Sequence, residues 1–112
     1  MEFEKYKNKV KYPDTLRKPY LSSQHTCEEA QQYARDFKAY EAQLSKYREE
    51  HVKYVQEENR LRELFKRDAF EKLGVQDHPK KEVLWYLAWE DGHSSGLLEV
   101  WIYLNRYSEL LV

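Results

Sequence analysis

The chain has 112 residues, of which 35% are charged and 15% aromatic, and its formal net charge is −1. A near-neutral molecule has no overall field to draw it to nucleic acid or a membrane, and the aromatic content argues against a disordered chain despite a mean hydropathy of −0.99. One domain is the default at this length, no apolar run approaches the roughly 20 residues that span a bilayer, and the single cysteine, Cys27, excludes an intrachain disulfide.

The Met1-Glu2-Phe3-Glu4-Lys5 start lacks the apolar core of a signal peptide, and a lone cysteine suits a reducing compartment. A soluble cytoplasmic protein is expected. Charge is unevenly spread: residues 1–25 carry a net +3, residues 26–73 a net −1 and residues 74–112 a net −3.

Residues 1–25 contain Pro13 and Pro19, and each residue before a proline favours extended backbone. An extended basic arm is predicted, in which Lys5, Lys7, Lys9 and Lys11 alternate with Tyr6, Asn8, Val10 and Tyr12. Two readings stand for it. Together with Arg17 and Lys18, those lysines are candidate phosphate contacts, with Tyr6, Tyr12 and Tyr20 available to stack on bases. Alternatively, the tyrosines and prolines lie along the protein's own helix.

That helix is predicted over residues 26–73. Thr26-Cys27-Glu28-Glu29 is a capping box, in which the Thr26 hydroxyl accepts the Glu29 amide and the Glu29 carboxylate reaches back to the Thr26 amide. Neither Gly nor Pro follows until Gly74, which suits a left-handed C-cap. At about 1.5 Å per residue, such a helix is on the order of 70 Å long if straight. A kink is a second option near Glu57-Glu58-Asn59.

Tyr33, Phe37, Tyr40, Leu44, Tyr47, His51 and Tyr54 follow one another in steps of four and three. This is the seam of a coiled coil, and it predicts a homodimer through this stalk. Rings at half the seam favour a loose or antiparallel mate, or the Pro/Tyr arm lying across them, since aromatic grooves accept extended proline-rich segments. Past Glu58 the stripe broadens through Leu61, Leu64, Phe65, Ala69, Phe70 and Leu73, where a compact head is expected to begin.

After Gly74, Asp77 or His78 is placed to cap a second helix over 79–90, with Pro79 in its first turn. Leu84, Leu87 and Ala88 give one face and Trp85 and Trp89 an adjoining one, so this helix is apolar nearly all round. A third helix is predicted over 96–111, with Leu97, Val100, Trp101, Leu104, Ser108 and Leu111 as its stripe; Leu110-Leu111-Val112 suggests a packed C-terminus. The expected fold is all-α: the arm 1–25, a long helix 26–73, and a two-helix segment 74–112 packed on the end of that helix.

The turn between the last two helices is the one stretch with chemical potential. Glu90-Asp91-Gly92-His93-Ser94-Ser95-Gly96 gathers carboxylates, an imidazole, two hydroxyls and two glycines. A helix N-terminus able to bind an anion follows, and Trp85, Trp89 and Trp101 lie close in sequence. A phosphate or nucleotide site is one reading. A tight turn that uses Gly92 to end one helix and Ser94 or Ser95 to cap the next is the other. The serine-centred elbow of hydrolases, the phosphate-binding loop and the His-Glu-x-x-His motif are all missing, and His25, His51, His78 and His93 are isolated from one another, so neither a metal nor a cofactor is expected.

The segments "KYKNKVKYPDTLRKP", "AQQYARDFKAYEAQLSKYREE" and "LAWEDGHSSGLLEVWIYLNRYSELL" resemble small proteins of unassigned function encoded by tailed bacteriophages. The specific part is Ala88, Glu90, Gly92, His93, Ser94, Gly96, Glu99 and Val100. The resemblance implies expression in an infected bacterial cytoplasm, where small phage proteins often act by binding a host protein. The expectation is therefore a non-enzymatic helical protein that binds and inhibits a host protein, such as a defence or nucleic-acid-processing factor. Its candidate contacts are Trp85, Trp89, Glu90, His93, Ser94, Ser95 and Trp101, aromatic anchors being enriched at binding hot spots. Nucleic-acid binding by the arm and ligand binding at the Gly92–Gly96 turn are the alternatives.

Overall fold

In the computed structural model, which describes residues 1–111, helix makes up 73% of the protein and no strand is present among the described residues, so the fold is all-α. A 3-10 turn, Phe3–Tyr6, precedes the long helix α1, Cys27–Leu73. Two shorter helices follow, α2 (Lys81–Gly92) and α3 (Leu97–Ser108), with 3-10 turns at His93–Ser95 and Glu109–Leu111. Among the described residues no helix is long and apolar enough to cross a membrane.

Helix α1 starts where the capping residues predict. The Thr26 hydroxyl accepts the Glu29 amide at 3.2 Å and donates to the Glu29 carboxylate at 3.3 Å, where the box predicts the Thr26 amide as that carboxylate's donor. The helix then runs without a break through Glu57-Glu58-Asn59. At its end Gly74 has φ +70°. The Val75 amide bonds the Phe70 carbonyl at 3.0 Å and the Gly74 amide bonds the Glu71 carbonyl at 3.1 Å. These are the paired bonds of a Schellman motif, and Val75 and Phe70 supply its apolar contact.

Helix α2 starts later than predicted. Its N-cap is Lys80, which makes no side-chain cap, and Pro79 lies in the preceding turn. His78 contributes instead by accepting the Lys80 amide on Nδ1 at 3.0 Å.

The chain divides into two compact units. One comprises Met1–Asn8 and Glu58–Val112, the other Lys9–Glu57. The boundary on α1 falls where its apolar stripe broadens.

The first unit holds the core. Phe65 and Ala69 of α1, Ala88 of α2, and Val100 and Leu104 of α3 are fully enclosed, with Phe70, Val75 and Leu84 beside them. Buried residues recur every fourth position: Leu61, Phe65 and Ala69; Leu84, Ala88 and Gly92; Val100 and Leu104. Such rows are the ridges by which helices interlock. Small side chains on them let the backbones approach. A Cβ on Gly92 would stand 2.7 Å from the Val100 nitrogen. Burying a residue the size of Phe65 stabilises by about 1.5–3 kcal/mol. Leu111 packs against this core whereas Leu110 is exposed; Val112, the last residue of that expected C-terminal run, lies outside the described residues.

The first residues of the arm join the same core. Phe3–Tyr6 forms a 3-10 turn rather than extended backbone, because Tyr6 is drawn onto α1. The Tyr6 ring meets Phe65 edge-on at 5.2 Å, and its hydroxyl donates to the Asp68 carboxylate at 2.6 Å. The Lys5 ammonium lies 2.9 Å from the same carboxylate.

In the second unit the arm has no regular secondary structure and lies on its own helix. Pro13 is buried. Tyr12 stands edge-on to His51 and Tyr54, at 5.8 and 4.9 Å. Within this unit the arm therefore runs antiparallel to α1, reversing at Ser22–His25, where His25 Nδ1 donates to the Ser22 carbonyl at 2.8 Å.

Candidate partner-binding surface

Helix α2 carries apolar residues on every side, and they fall into three groups by their surroundings. The Leu84, Ala88 and Gly92 row faces the core. Trp85 and Trp89 lie half-buried on the side towards α1. Trp85 packs at 5.9 Å from Phe65 and 6.3 Å from Phe70, and the Arg62 guanidinium covers Trp89 at 5.4 Å. Lys66 bridges the helices, 2.6 Å from Glu82 and 5.7 Å above the Trp85 ring. The remaining apolar residues are exposed. Val83, Tyr86 and Leu87 are 59%, 62% and 46% exposed. Of the face formed by Leu84, Leu87 and Ala88, Leu84 and Ala88 are buried while Leu87 is exposed. On α3, Leu98 and Ile102 are exposed in the same way, one turn apart.

In the turn after α2, His93 packs back on the helix that it follows. The His93 ring stacks on Trp89 at 5.1 Å and 9°, extending the Trp85–Trp89 stack, whose centroids are 5.4 Å apart. His93 Nδ1 lies 2.6 Å from the Trp89 carbonyl. A carbonyl only accepts, so Nδ1 is the donor in this contact.

Glycine enters this turn in two ways. Gly92 has φ −120°, so it ends α2 by giving room to Val100 rather than by a left-handed conformation. Gly96 is the N-cap of α3, with φ 106° and ψ 174°. Neither Ser94 nor Ser95 caps α3, because both lie in the intervening 3-10 turn. Glu90, Ser94 and Ser95 are exposed. Asp91 is engaged by the Tyr107 hydroxyl of α3, and this contact pushes the Tyr107 phenol above its ordinary value. Among the described residues no three His, Cys, Asp or Glu side chains come together as metal ligands.

A family model matches residues 2–112, taking in the arm, α1 and both shorter helices. The chain belongs to DUF8546, a family of unknown function. Comparison with the curated proteins and with the solved structures gives no match.

The structure brings together only part of the predicted site. Trp85, Trp89 and His93 form one stack on the core side of α2, and Trp101 is half-buried against the core from α3. The three tryptophans are thus structural walls first. The seam residues Tyr33, Phe37, Tyr40, Leu44, Tyr47, His51 and Tyr54 all lie half-buried on one side of α1. Tyr12 of the arm occupies the stretch from Tyr47 to Tyr54, and its hydroxyl raises the Tyr47 phenol above its ordinary value. The basic residues of the arm are dispersed. Lys5 is held by Asp68 and Lys11 lies 3.6 Å from Asp14, while Lys7, Lys9, Arg17 and Lys18 are exposed on two different units.

Two features escaped the sequence reading. The outward Val83, Tyr86 and Leu87 were hidden in a helix that reads as uniformly apolar. The Tyr6–Asp68 contact joins residues 62 apart, and its one trace in the sequence is an acid set between Phe65 and Ala69 on the apolar stripe.

Proposed function

We propose that this protein acts by binding another protein through the outward face of α2, without chemistry of its own. One observation carries this reading: Val83, Tyr86 and Leu87, at positions i, i+3 and i+4, are exposed on a helix whose other apolar residues are covered. Helices that dock into a partner's apolar groove present anchors at this spacing, and monomeric surfaces seldom leave such clusters bare without use. The partner on this reading supplies a groove that takes one helix face. The resemblance to tailed-phage proteins supports a host-cell protein as that partner and inhibition as the result.

The test is capture from a bacterial lysate with the full chain and with Leu87→Asp and Tyr86→Ser. These exposed positions are expected to leave thermal stability within about 0.5 kcal/mol of the parent. A partner that is retained by the parent and lost by both variants supports the reading. Undiminished capture by both variants removes α2 as the contact surface.

The nucleic-acid alternative is less well supported, because the arm's cations are spread over two units and one of them is held by Asp68. A salt titration separates the two readings, since binding through phosphates falls steeply with salt.

A further inference from the structure

Between the arm and α1, within the unit Lys9–Glu57, lies a cleft of about 580 Å³. This is within the range of small-molecule sites, roughly 300–1,000 Å³. The arm side mixes apolar Val10, the buried Pro13 and Leu16 with Lys11, Asp14 and Thr15. The helix side presents Lys46, Tyr47, Glu50 and Lys53, which the helical repeat sets along one stripe.

The charges sort into two weak pairs and a remainder. Lys11 lies 3.6 Å from Asp14, and Lys46 lies 3.9 Å from Glu50. Both pairs are exposed and long, so each contributes little and yields to a ligand. Lys53 is the third cation of the lining, which gives the cleft one positive charge in excess.

We propose that this cleft binds a small organic monoanion, a single oxyanion group on an apolar body. Lys53 anchors the oxyanion, and Val10, Pro13 and Leu16 take the body. The arm forms one wall, so the ligand also fastens the arm to α1. This site is independent of the α2 surface and of any protein partner.

The experiment is calorimetric titration of the full chain with two anions, phenylbutanoate and dibutyl phosphate, each beside its neutral counterpart, the amide and the triester. At least one anion is expected to bind and its neutral counterpart to bind on the order of tenfold more weakly, the loss of one charge-assisted contact. Lys53→Gln is expected to weaken that anion to a similar degree, and Arg48→Gln, outside the cleft, to leave it unchanged. Amide exchange over residues 10–16 should slow when the anion is bound. The tighter of the two anions names the oxyanion class. Failure of both anions to bind, equal binding by the neutral counterparts, indifference to Lys53→Gln, or equal loss in Arg48→Gln overturns the proposal.

Discussion

Asp68 takes three donors on one carboxylate: Tyr6, Lys5 and, at 3.4 Å, Arg67. The Tyr6 hydroxyl, then Lys5, hold it below the usual carboxylate range, while burial and the bond to Asp68 push Tyr6 above the usual phenol range. The signs follow from linkage. The Asp68 contribution is complete above its unfolded value near 3.8 and is lost as pH falls through its lower folded value. The Tyr6 contribution is complete below its unfolded value near 10.0 and is lost as pH rises through its higher folded value. Asp68→Asn should therefore flatten the acid limb of stability against pH, as followed by denaturant unfolding at several pH values; an unchanged acid limb would show that the contact adds nothing. Tyr6→Phe keeps the ring and should cost about 1–3 kcal/mol at neutral pH. Glycine makes a separate residue-scale claim. Gly92→Ala forces a methyl against the Val100 backbone and should destabilise by about 1–3 kcal/mol in thermal unfolding. Gly96→Ala should cost a similar amount for a different reason, since its φ and ψ fall in a region almost confined to glycine.

At the scale of the element, α2 separates folding from recognition by the side of the helix on which a residue sits. Ala88 and Leu84 face α1 and α3, Trp85 and Trp89 close the edge of the core, and Val83, Tyr86 and Leu87 remain outside. Trp89→Ala should remove the stack on Trp85 and His93 together with the Arg62 contact, and lower thermal stability by about 2–4 kcal/mol. Leu87→Asp should lower it hardly at all. Calorimetry on the two variants distinguishes wall from contact surface. Equal destabilisation by both would mean that α2 has no free face. Loss of binding in a Trp89 variant would thus report folding, and the tyrosine and leucine positions are the informative ones.

For the whole molecule, the two units differ in what covers their apolar side chains. The Glu58–Val112 unit encloses its core with three helices and Tyr6. In the Lys9–Glu57 unit no side chain of α1 is fully buried, and the arm leaves the tyrosine seam half-covered. Helices draw most of their stability from packing of an apolar face, so a second copy could pair through the Tyr47–Tyr54 stretch only by displacing the arm from the same rings. Tyr12→Ala removes the arm's contacts with His51 and Tyr54 and should raise the share of dimer seen by light scattering across a concentration series. No rise with concentration would leave the seam to the arm alone. Tyr47 extends the argument to pH: its phenol is raised by Tyr12, so this arm contact holds below the ordinary phenol value and weakens as pH climbs above it.

Periodicity and capping residues by themselves determined the all-α class, both ends of α1 to within a residue, and the presence of two further helices. These are local properties: a capping hydroxyl, a run without Gly or Pro, and a left-handed glycine act within one turn of chain. The core row of α3 was also legible, because Glu99 and Arg106 mark the side of the helix opposite Val100 and Leu104. In α2 the pattern is apolar all round and carries no direction, so only the positions of α1 and α3 decided that Leu84 and Ala88 are core, Trp85 and Trp89 walls, and Leu87 surface. The tertiary structure alone likewise placed Tyr6 on Asp68 and Tyr12 on His51 and Tyr54, contacts between an arm and a helix that no sequence period links. It also reassigned Gly92 from chain reversal to close approach. A backbone 2.7 Å from a would-be side chain is a fact of packing, and the sequence around it reads the same either way.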